Sequence, residues 1–211
     1  MELEKWKQQL LNNKDLFIGE STARRSAVLI PLVEVDGEWC ILFEVRSSKM
    51  RFQPGDICFP GGRVDPDDPS LLFTALRETH EELGVAPHTV EVLGPLSPYV
   101  SSMSFVVYPF VGVVDFNEII TSYNEAEVEE VFTVPISWLL THEPYMHEVA
   151  VDITPDRQTF PFEKIPNGDQ YQWRKRTIEE WFYEYGTYTI WGMTARILKH
   201  FIDVIRPKKS E

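Results

Sequence analysis

Apolar and polar residues alternate along several short runs of the chain, and this pattern predicts strands. The runs are rich in β-branched and aromatic residues and cover 26–35, 39–45, 90–96 and 105–114, with a short run that ends at Phe59. Asp36-Gly37 lies between the first two runs and is a turn signal typical of a tight hairpin. The sequence therefore predicts a sheet that begins with a hairpin, and residues 149–162 are also expected to be extended.

Other segments repeat apolar residues every three to four positions, which predicts helices. These segments are 1–13, 70–83, 136–140, 177–185 and 194–204. The last has an expected core face made of Ile197, Leu198, Phe201 and Ile202. Strands and helices follow each other without a regular strand–helix–strand rhythm. An α+β fold is therefore expected rather than a parallel doubly wound sheet.

The helix over 70–83 follows an acidic loop that contains two prolines. Asp68 is its predicted cap, Pro69 its first helical residue and Gly84 its end, because each residue type suits that position. The helix has one apolar stripe, which is expected to face the core. The stripe consists of Leu72, Leu76, Thr79 and Leu83.

Composition and charge narrow the classes of function. The chain has 211 residues, of which 43% are hydrophobic and 25% charged, an ordinary balance for a globular domain with its own core. The formal net charge of -13 argues against non-specific binding of nucleic acid, which needs a basic surface. An anionic substrate would have to be met locally, by arginine side chains or bound cations.

The termini and cysteines suggest a protein of the cytoplasm that has no membrane partner. Residues 1–13 lack the apolar core of a signal peptide, and no segment is long and apolar enough to span a membrane. Cys40 and Cys58 are expected to be buried free thiols, since no disulfide or zinc pattern is visible. The sequence leaves the oligomeric state open, a homodimer included.

Three glutamates share one face of the helix over 70–83, well away from its apolar stripe. Glu78 and Glu82 lie one turn apart, and Glu81 is about 60° further round, so the three would repel one another. The cluster also lies at the C-terminal end of the helix, where the dipole disfavours negative charge. A solvated acidic face is the simplest interpretation. A hard divalent cation held by carboxylate and loop carbonyl oxygens is the functional one.

At this point the sequence resembles the Nudix box, in which Gly, five residues, Glu and seven residues precede Arg-Glu-aliphatic-x-Glu-Glu-x-Gly-aliphatic. The second half fits at Arg77 to Val85, with Thr79 in place of the aliphatic residue. In the first half Asp68 follows Gly62 where Glu is usual, and eight residues lead to Arg77. In the family this acid pairs with the arginine. Asp68 either does the same or caps the helix.

The upstream stretch is similar to the signature of coenzyme A diphosphatases, a branch of the same family. The matching positions are Arg46-Ser47, Arg51, Gly55 and Phe59-Pro60-Gly61-Gly62, whereas Leu42-Phe43-Glu44 stands where the family prefers Leu-Leu-Thr. Guanidinium groups suit phosphate oxygens, so Arg46 and Arg51 are candidate substrate-binding residues. The alternative for either residue is a surface ion pair of little energetic value.

The resemblance implies a Nudix domain over residues 25–205, after an N-terminal helix and lead-in (1–24) and before a tail (206–211). Its fold would be a mixed sheet between helices with a loop-helix-loop metal site. Mg²⁺ or Mn²⁺ would bind Glu78, Glu81, Glu82 and the Gly62 carbonyl, and would activate a water molecule. Glu82 or Glu127 would accept the proton of that water, and Arg77 would orient the glutamates.

The implied reaction is hydrolysis of coenzyme A or an acyl derivative to 4'-phosphopantetheine and adenosine 3',5'-bisphosphate. Two alternatives stay open. One is a Nudix hydrolase of another nucleoside-diphosphate derivative, such as ADP-ribose, a dinucleotide or a nucleoside triphosphate. The other is a non-catalytic nucleotide-binding domain, although such domains typically lose box glutamates that this chain retains. Glu127 has its own alternatives, as an additional metal ligand or as one more exposed acid in the run 125–130.

Overall fold

The structure is a computed structural model that describes residues 2–13, 17–101, 105–119 and 123–207. These residues fall into two compact units, Met1–Thr141 and His142–Glu211. The first unit contains α1 (Glu2–Leu11), β1 (Arg24–Val35), β2 (Glu38–Arg46), β3 (Ile57–Cys58), β4 (Gly61–Arg63), α2 (Leu71–Leu83), β5 (Glu91–Pro95), β6 (Tyr99–Val100), β7 (Phe105–Val113), α3 (Phe116–Ile119), β8 (Val128–Pro135) and α4 (Ile136–Thr141). The second contains β9 (Tyr145–Val151), β10 (Arg176–Tyr185), β11 (Tyr188–Trp191) and α5 (Gly192–Ile205). The predicted domain borders at 24 and 205 stay predictions.

Within the described residues, the first unit is built on an eight-stranded mixed sheet. Its main path runs β3-β2-β1-β7-β5, with β4 on β1, β6 on β7 and β8 on β2. Strands β1 and β7 are parallel, and the other pairs are antiparallel. The α+β fold expected from the sequence is confirmed.

The hairpin of β1 and β2 sets the register of this sheet. Asp36 and Gly37 both have positive φ, at 52° and 82°, which is the backbone of the tight turn that the dipeptide predicts. The turn pairs Val35 with Glu38 and continues through Leu32 and Ile41. The predicted hairpin is therefore confirmed.

Strand alternation divides the residues of β2 between the two faces of the sheet. Leu42 lies in a buried cluster with Leu29 and Leu83, so its face is the one that α2 covers. Phe43 points to the other face, where its ring packs against Phe59 and Phe132 with centroids 5.1 and 5.5 Å away. Each face of the sheet thus has its own apolar core.

The second unit is a three-stranded antiparallel sheet, β11-β10-β9, with α5 packed on it. The predicted helix over 194–204 is confirmed, and its expected core residues Ile197, Leu198, Phe201 and Ile202 are all buried. The predicted helix over 177–185 is wrong, because these residues form β10. Aromatic side chains favour strands, and Phe182 stacks between Tyr145 and Trp191 of the neighbouring strands.

Smaller differences concern the remaining segments. Residues 149–162 were expected to be extended, but only the residues up to Val151 belong to a strand. A turn of 3-10 helix begins at Phe162. Helices α1 and α4 form where predicted, and the apolar side chains of α1 are exposed. Of the helices in these described ranges, none has the length and apolarity that a membrane crossing requires.

Candidate active site

The N-terminus of α2 is capped by Ser70. Its hydroxyl accepts a hydrogen bond from the Phe73 amide at 3.1 Å, and the helix begins at Leu71. The predicted cap at Asp68 and first position at Pro69 are therefore wrong. Gly84 ends the helix with a φ of 75°, as predicted.

Asp68 instead pairs with Arg77. The carboxylate receives two hydrogen bonds from the guanidinium, from Nε at 3.1 Å and from Nη2 at 2.9 Å. It also accepts the Thr74 hydroxyl and the Asp65 amide, and its side chain is only 4% exposed. These donors hold the pKa of Asp68 well below its usual range, with the Arg77 hydrogen bonds as the largest cause. Asp68 thus pairs with Arg77, as the glutamate of the Nudix pattern pairs with the arginine.

Arg77 links this loop to the carboxylates of α2. Its Nη1 lies 2.9 Å from the Glu78 carboxylate and 3.2 Å from that of Glu81, while Nη2 donates to the Arg63 carbonyl. The Asp68 hydrogen bonds, followed by those to Glu81, raise the pKa of Arg77 above its ordinary value. Arg77 therefore contacts two of the three box glutamates, and its role in orienting them stays a prediction.

Glu82 lies inside the molecule. Its side chain belongs to the buried face of α2, and its Oε2 accepts the Gly61 amide at 2.8 Å. The expectation that all three glutamates lie away from the core is wrong for this residue, because α2 crosses β1 and β4 and buries Glu82 beside Leu83. Burial, and next the charge of Glu44, raise the pKa of Glu82 to about 9.

Glu78 and Glu81 are more accessible than Glu82. Glu78 is half-buried, and its carboxylate lies so close to the Cα atom of Gly62 that a side chain at position 62 would overlap it. Burial raises the pKa of Glu78, and the neighbouring Arg77 opposes this effect. The Glu81 side chain is 53% exposed. The Gly61-Gly62 segment, predicted as loop, is the short strand β4, which pairs with β1.

A fourth glutamate joins this group from outside the box. Glu44 in β2 is 1% exposed, and its Oε1 accepts a hydrogen bond from the Cys58 thiol at 3.2 Å. Burial raises the pKa of Glu44 to about 7. The sequence showed Glu44 only as a departure from the family pattern. Glu44 lies in phase with the apolar residues Cys40 and Leu42, and this alternation was the signal that could have identified it as a buried acid.

The turn before β8 is tied to this group by backbone hydrogen bonds. The Asn124 amide donates to the Glu82 carbonyl at 2.8 Å, and the Ser47 amide donates to the Glu127 carbonyl at 2.7 Å. Glu127 is half-buried, and its charge contributes to the raised pKa values of Glu44 and Glu82. Glu127, an acid of the run 125–130, is thus near enough to Glu44 and Glu82 for its charge to act on them.

The two candidate arginines have different environments. Arg46 ends β2, and its charge lowers the pKa values of Glu44 and Cys58. Its Nε is buried without a hydrogen-bond partner among the described residues. Arg51 is exposed in the loop after β2, with its guanidinium 5.3 Å from the Phe52 ring centroid. The charge of Arg46 therefore acts on the buried acid Glu44, whereas Arg51 lies in an exposed loop.

The donor set suits a hard divalent cation in its chemistry. Carboxylate oxygens are the preferred ligands of such ions, and several buried acids here repel one another. Within the described ranges, however, no three His, Cys, Asp or Glu side chains form a closed metal site. Arg77 and the Gly61 amide engage the oxygens of Glu78, Glu81 and Glu82 instead.

Comparison with known proteins identifies the family. The model of the NUDIX domain matches residues 23–156. The chain belongs to the Nudix hydrolase family. It is 36% identical over 176 residues to the uncharacterized Nudix hydrolase NudL of Enterobacter sp. (strain 638), covering 83% of this chain and 80% of that protein. Nudix hydrolases act on small phosphate-containing molecules and generally use divalent metals.

A second relative carries a more specific name. This Nudix hydrolase is 43% identical over 124 residues to the peroxisomal coenzyme A diphosphatase NUDT7 of mouse. The match covers 59% of this chain and 52% of the mouse protein, about half its length. Among solved structures, a MutT/nudix family protein from Enterococcus faecalis aligns with 97% of this chain and 68% of its own, with a TM-score of 0.50 and 16% identity. That likeness concerns the fold.

Proposed function

We propose that this Nudix hydrolase cleaves the diphosphate bond of coenzyme A or an acyl-coenzyme A. The products would be 4'-phosphopantetheine, acylated or not, and adenosine 3',5'-bisphosphate. The observation that carries the proposal is the environment of Arg46, which belongs to the coenzyme A signature. Its charge acts on Glu44, a neighbour of the box glutamate Glu82, and its buried Nε has no partner among the described residues. The name of the mouse relative supports the same substrate.

Each residue would have a distinct part in this reaction. Glu78, Glu81, Glu82 and the Gly62 carbonyl would hold Mg²⁺ or Mn²⁺, which when bound neutralises diphosphate oxygens and acidifies a water molecule. Arg77 would orient Glu78 and Glu81 through the ion pairs seen in the structure. Arg46, whose Nε is buried without a partner among the described residues, would bind a phosphate oxygen, and exposed Arg51 would add a weaker, more screened contact.

The proton acceptor would be Glu82 or Glu127. Glu127 is half-buried, and within the described ranges its carboxylate has no hydrogen bond like the one that Glu82 accepts from the Gly61 amide. A base must reach the water directly or through one further water molecule. Comparing Glu127→Gln with Glu82→Gln separates the two, because loss of a base alone lowers kcat without weakening Mn²⁺ binding.

A substrate panel tests the proposed activity. Purified protein with Mg²⁺ or Mn²⁺ would be incubated with coenzyme A, acetyl-coenzyme A, ADP-ribose, a diadenosine polyphosphate and a deoxynucleoside triphosphate, and the products separated by chromatography. We expect the highest kcat/KM for a coenzyme A substrate, with adenosine 3',5'-bisphosphate as a product. Equal or better turnover of ADP-ribose would reject coenzyme A in favour of the broader Nudix alternative. Tight nucleotide binding without any turnover would favour the non-catalytic alternative.

The place of action is a separate inference. We propose a cytoplasmic location, whereas the mouse relative is named as peroxisomal. Fractionation of cells that express the tagged chain would distinguish the two locations. Sedimentation analysis of the purified chain would determine the oligomeric state.

A further inference from the structure

Glu44 is a buried acid that the Nudix box does not include. It lies in the middle of β2, paired with Cys58 of β3 on one side and with Val131 of β8 on the other. Strand alternation puts its side chain on the same face as Leu42, which packs with Leu83 of α2. The carboxylate therefore points toward the helix that carries the box glutamates.

Only one of the two Glu44 oxygens has a protein partner. The Cys58 thiol donates to Oε1, whereas Oε2 is buried and has no hydrogen-bond partner among the described residues. An unsatisfied buried carboxylate oxygen is costly, and in native proteins it points to an unseen water molecule or ion. The charges that act on Glu44 in the described part of the chain are those of the acids Glu78, Glu82 and Glu127 and of the cation Arg46. Arg77 pairs with Glu78, so these four acids still outnumber the two cations. This surplus of negative charge favours a cation over water.

We propose that Glu44 is a further ligand of the divalent-cation site, with Cys58 as the positioning residue that leaves Oε2 free. The inference rests on the metal site of the proposed function and adds to it a ligand from β2. It concerns a position at which this chain departs from the coenzyme A diphosphatase signature, which prefers Thr. A neutral hydroxyl there would contribute neither the charge nor the second oxygen of a carboxylate.

The competing explanation is purely structural. In that case Glu44 would be a protonated acid that fills space beside Cys58, and metal would bind without it. The two explanations differ in what a divalent cation does to variants at position 44. Activity alone cannot separate them, because a structural defect would also lower turnover.

Mn²⁺ binding to the full chain provides the test. Free Mn²⁺ would be measured by electron paramagnetic resonance during titration of the parent, Glu44→Gln and Glu44→Thr, without substrate. Glu82→Gln is the positive control, and Glu130→Gln, an exposed acid of β8, is the matched control for loss of one charge. We expect Glu44→Gln and Glu44→Thr to weaken Mn²⁺ binding by about tenfold or more, and Cys58→Ala by less. Glu130→Gln should change it by less than about twofold, as a surface charge does.

The same titrations contain the overturning results. Mn²⁺ affinity of Glu44→Gln within about twofold of the parent would reject a ligand role, since ligand loss has a large effect. Failure of the parent to bind Mn²⁺ would reject the metal site as a whole. If Mn²⁺ binding depends on Glu44 but the parent does not turn over coenzyme A, only the proposed substrate would be rejected.

A second measurement needs no variant and decides the matter if the Glu44 variants do not fold. Crystals of the parent protein soaked in Mn²⁺ would be examined by anomalous diffraction. A peak at about 2.1 Å from a Glu44 oxygen is expected for a ligand of a small divalent cation. A peak on Glu82 with both Glu44 oxygens beyond ligand distance would overturn the inference.

Discussion

Asp68 accepts two hydrogen bonds from Arg77, and this pair connects the loop before α2 to the carboxylates at the end of that helix. The acid comes one residue earlier, relative to the arginine, than the box pattern requires, and it is one methylene shorter than Glu. The loop and the Ser70 cap bring it to the guanidinium nevertheless. The altered first half of the box is therefore compatible with an intact second half.

Asp68→Asn should disable Arg77 as an organiser of the site. The substitution keeps the shape but removes the charge and one acceptor, so Glu78 and Glu81 would lose their fixed position. We expect kcat/KM to fall by about 10- to 100-fold, as for other residues that orient metal ligands, with a lower melting temperature. Asp67→Asn, a change at the exposed neighbour, should leave kcat/KM unchanged. Equal activity of the two variants would contradict the role of Asp68.

Glu82→Gln should separate activity from stability. Gln retains an acceptor for the Gly61 amide but cannot carry the buried charge, so kcat should fall by orders of magnitude, roughly 10³-fold. Without divalent metal the melting temperature should rise at pH 8, by about 2–4 °C for each kcal/mol gained. Calorimetry with and without Mg²⁺ would measure both effects. A variant that melts well below the parent in the absence of metal would show that the Glu82 charge is not a burden on the fold.

The metal-free protein should lose stability as pH rises. The folded-state pKa of Glu82 is raised from 4.5 to about 9, and that of Glu44 to about 7. Below pH 4.5 both carboxyls are protonated in either state. Above it the unfolded chain releases the protons first, so the free energy of unfolding falls until about pH 9. Urea denaturation across this range should show the fall in the parent and a smaller one in Glu82→Gln. Parallel pH profiles for the two proteins would refute this assignment.

The paired glycines should respond differently to Ala. At Gly62 an added Cβ would overlap the end of the Glu78 side chain, which can move, so the fold should survive while metal binding and kcat fall. At Gly61 it would overlap the backbone of Ala27 and Val28, and φ is +151°, so Gly61→Ala should fold poorly. Circular dichroism and Mn²⁺ titration would compare them. Comparable melting temperatures for the two variants would argue against this division of roles.

Ser70→Ala should weaken the start of α2. It removes the hydroxyl that accepts the Phe73 amide, which should lower the free energy of unfolding by about 1 kcal/mol. Ser70→Asp should retain the cap and most of the stability. Denaturant melts of the three proteins provide the measurement. A loss in Ser70→Asp as large as in Ser70→Ala would mean that the hydroxyl cap is not the source of the effect.

Local features of the sequence determined the elements that depend on neighbouring residues. The Asp36-Gly37 turn, the end of α2 at Gly84 and the core face of α5 follow from turn chemistry and helical periodicity. The same periodicity places Arg77, Glu78 and Glu82 on one helix. The family follows from the box, because its spacing is specific.

The tertiary structure decided what depends on partners distant in sequence. Residues 177–185 became β10 because strands on both sides pair with them, and the preference of aromatic residues for strands depends on packing against such cross-strand partners. The burial of Glu82 depends on how α2 crosses the sheet, and the placement of Glu44 depends on which face of β2 that helix covers. The sequence by itself determined that acids cluster on α2, while packing decided which of them are buried and which acid from β2 joins them.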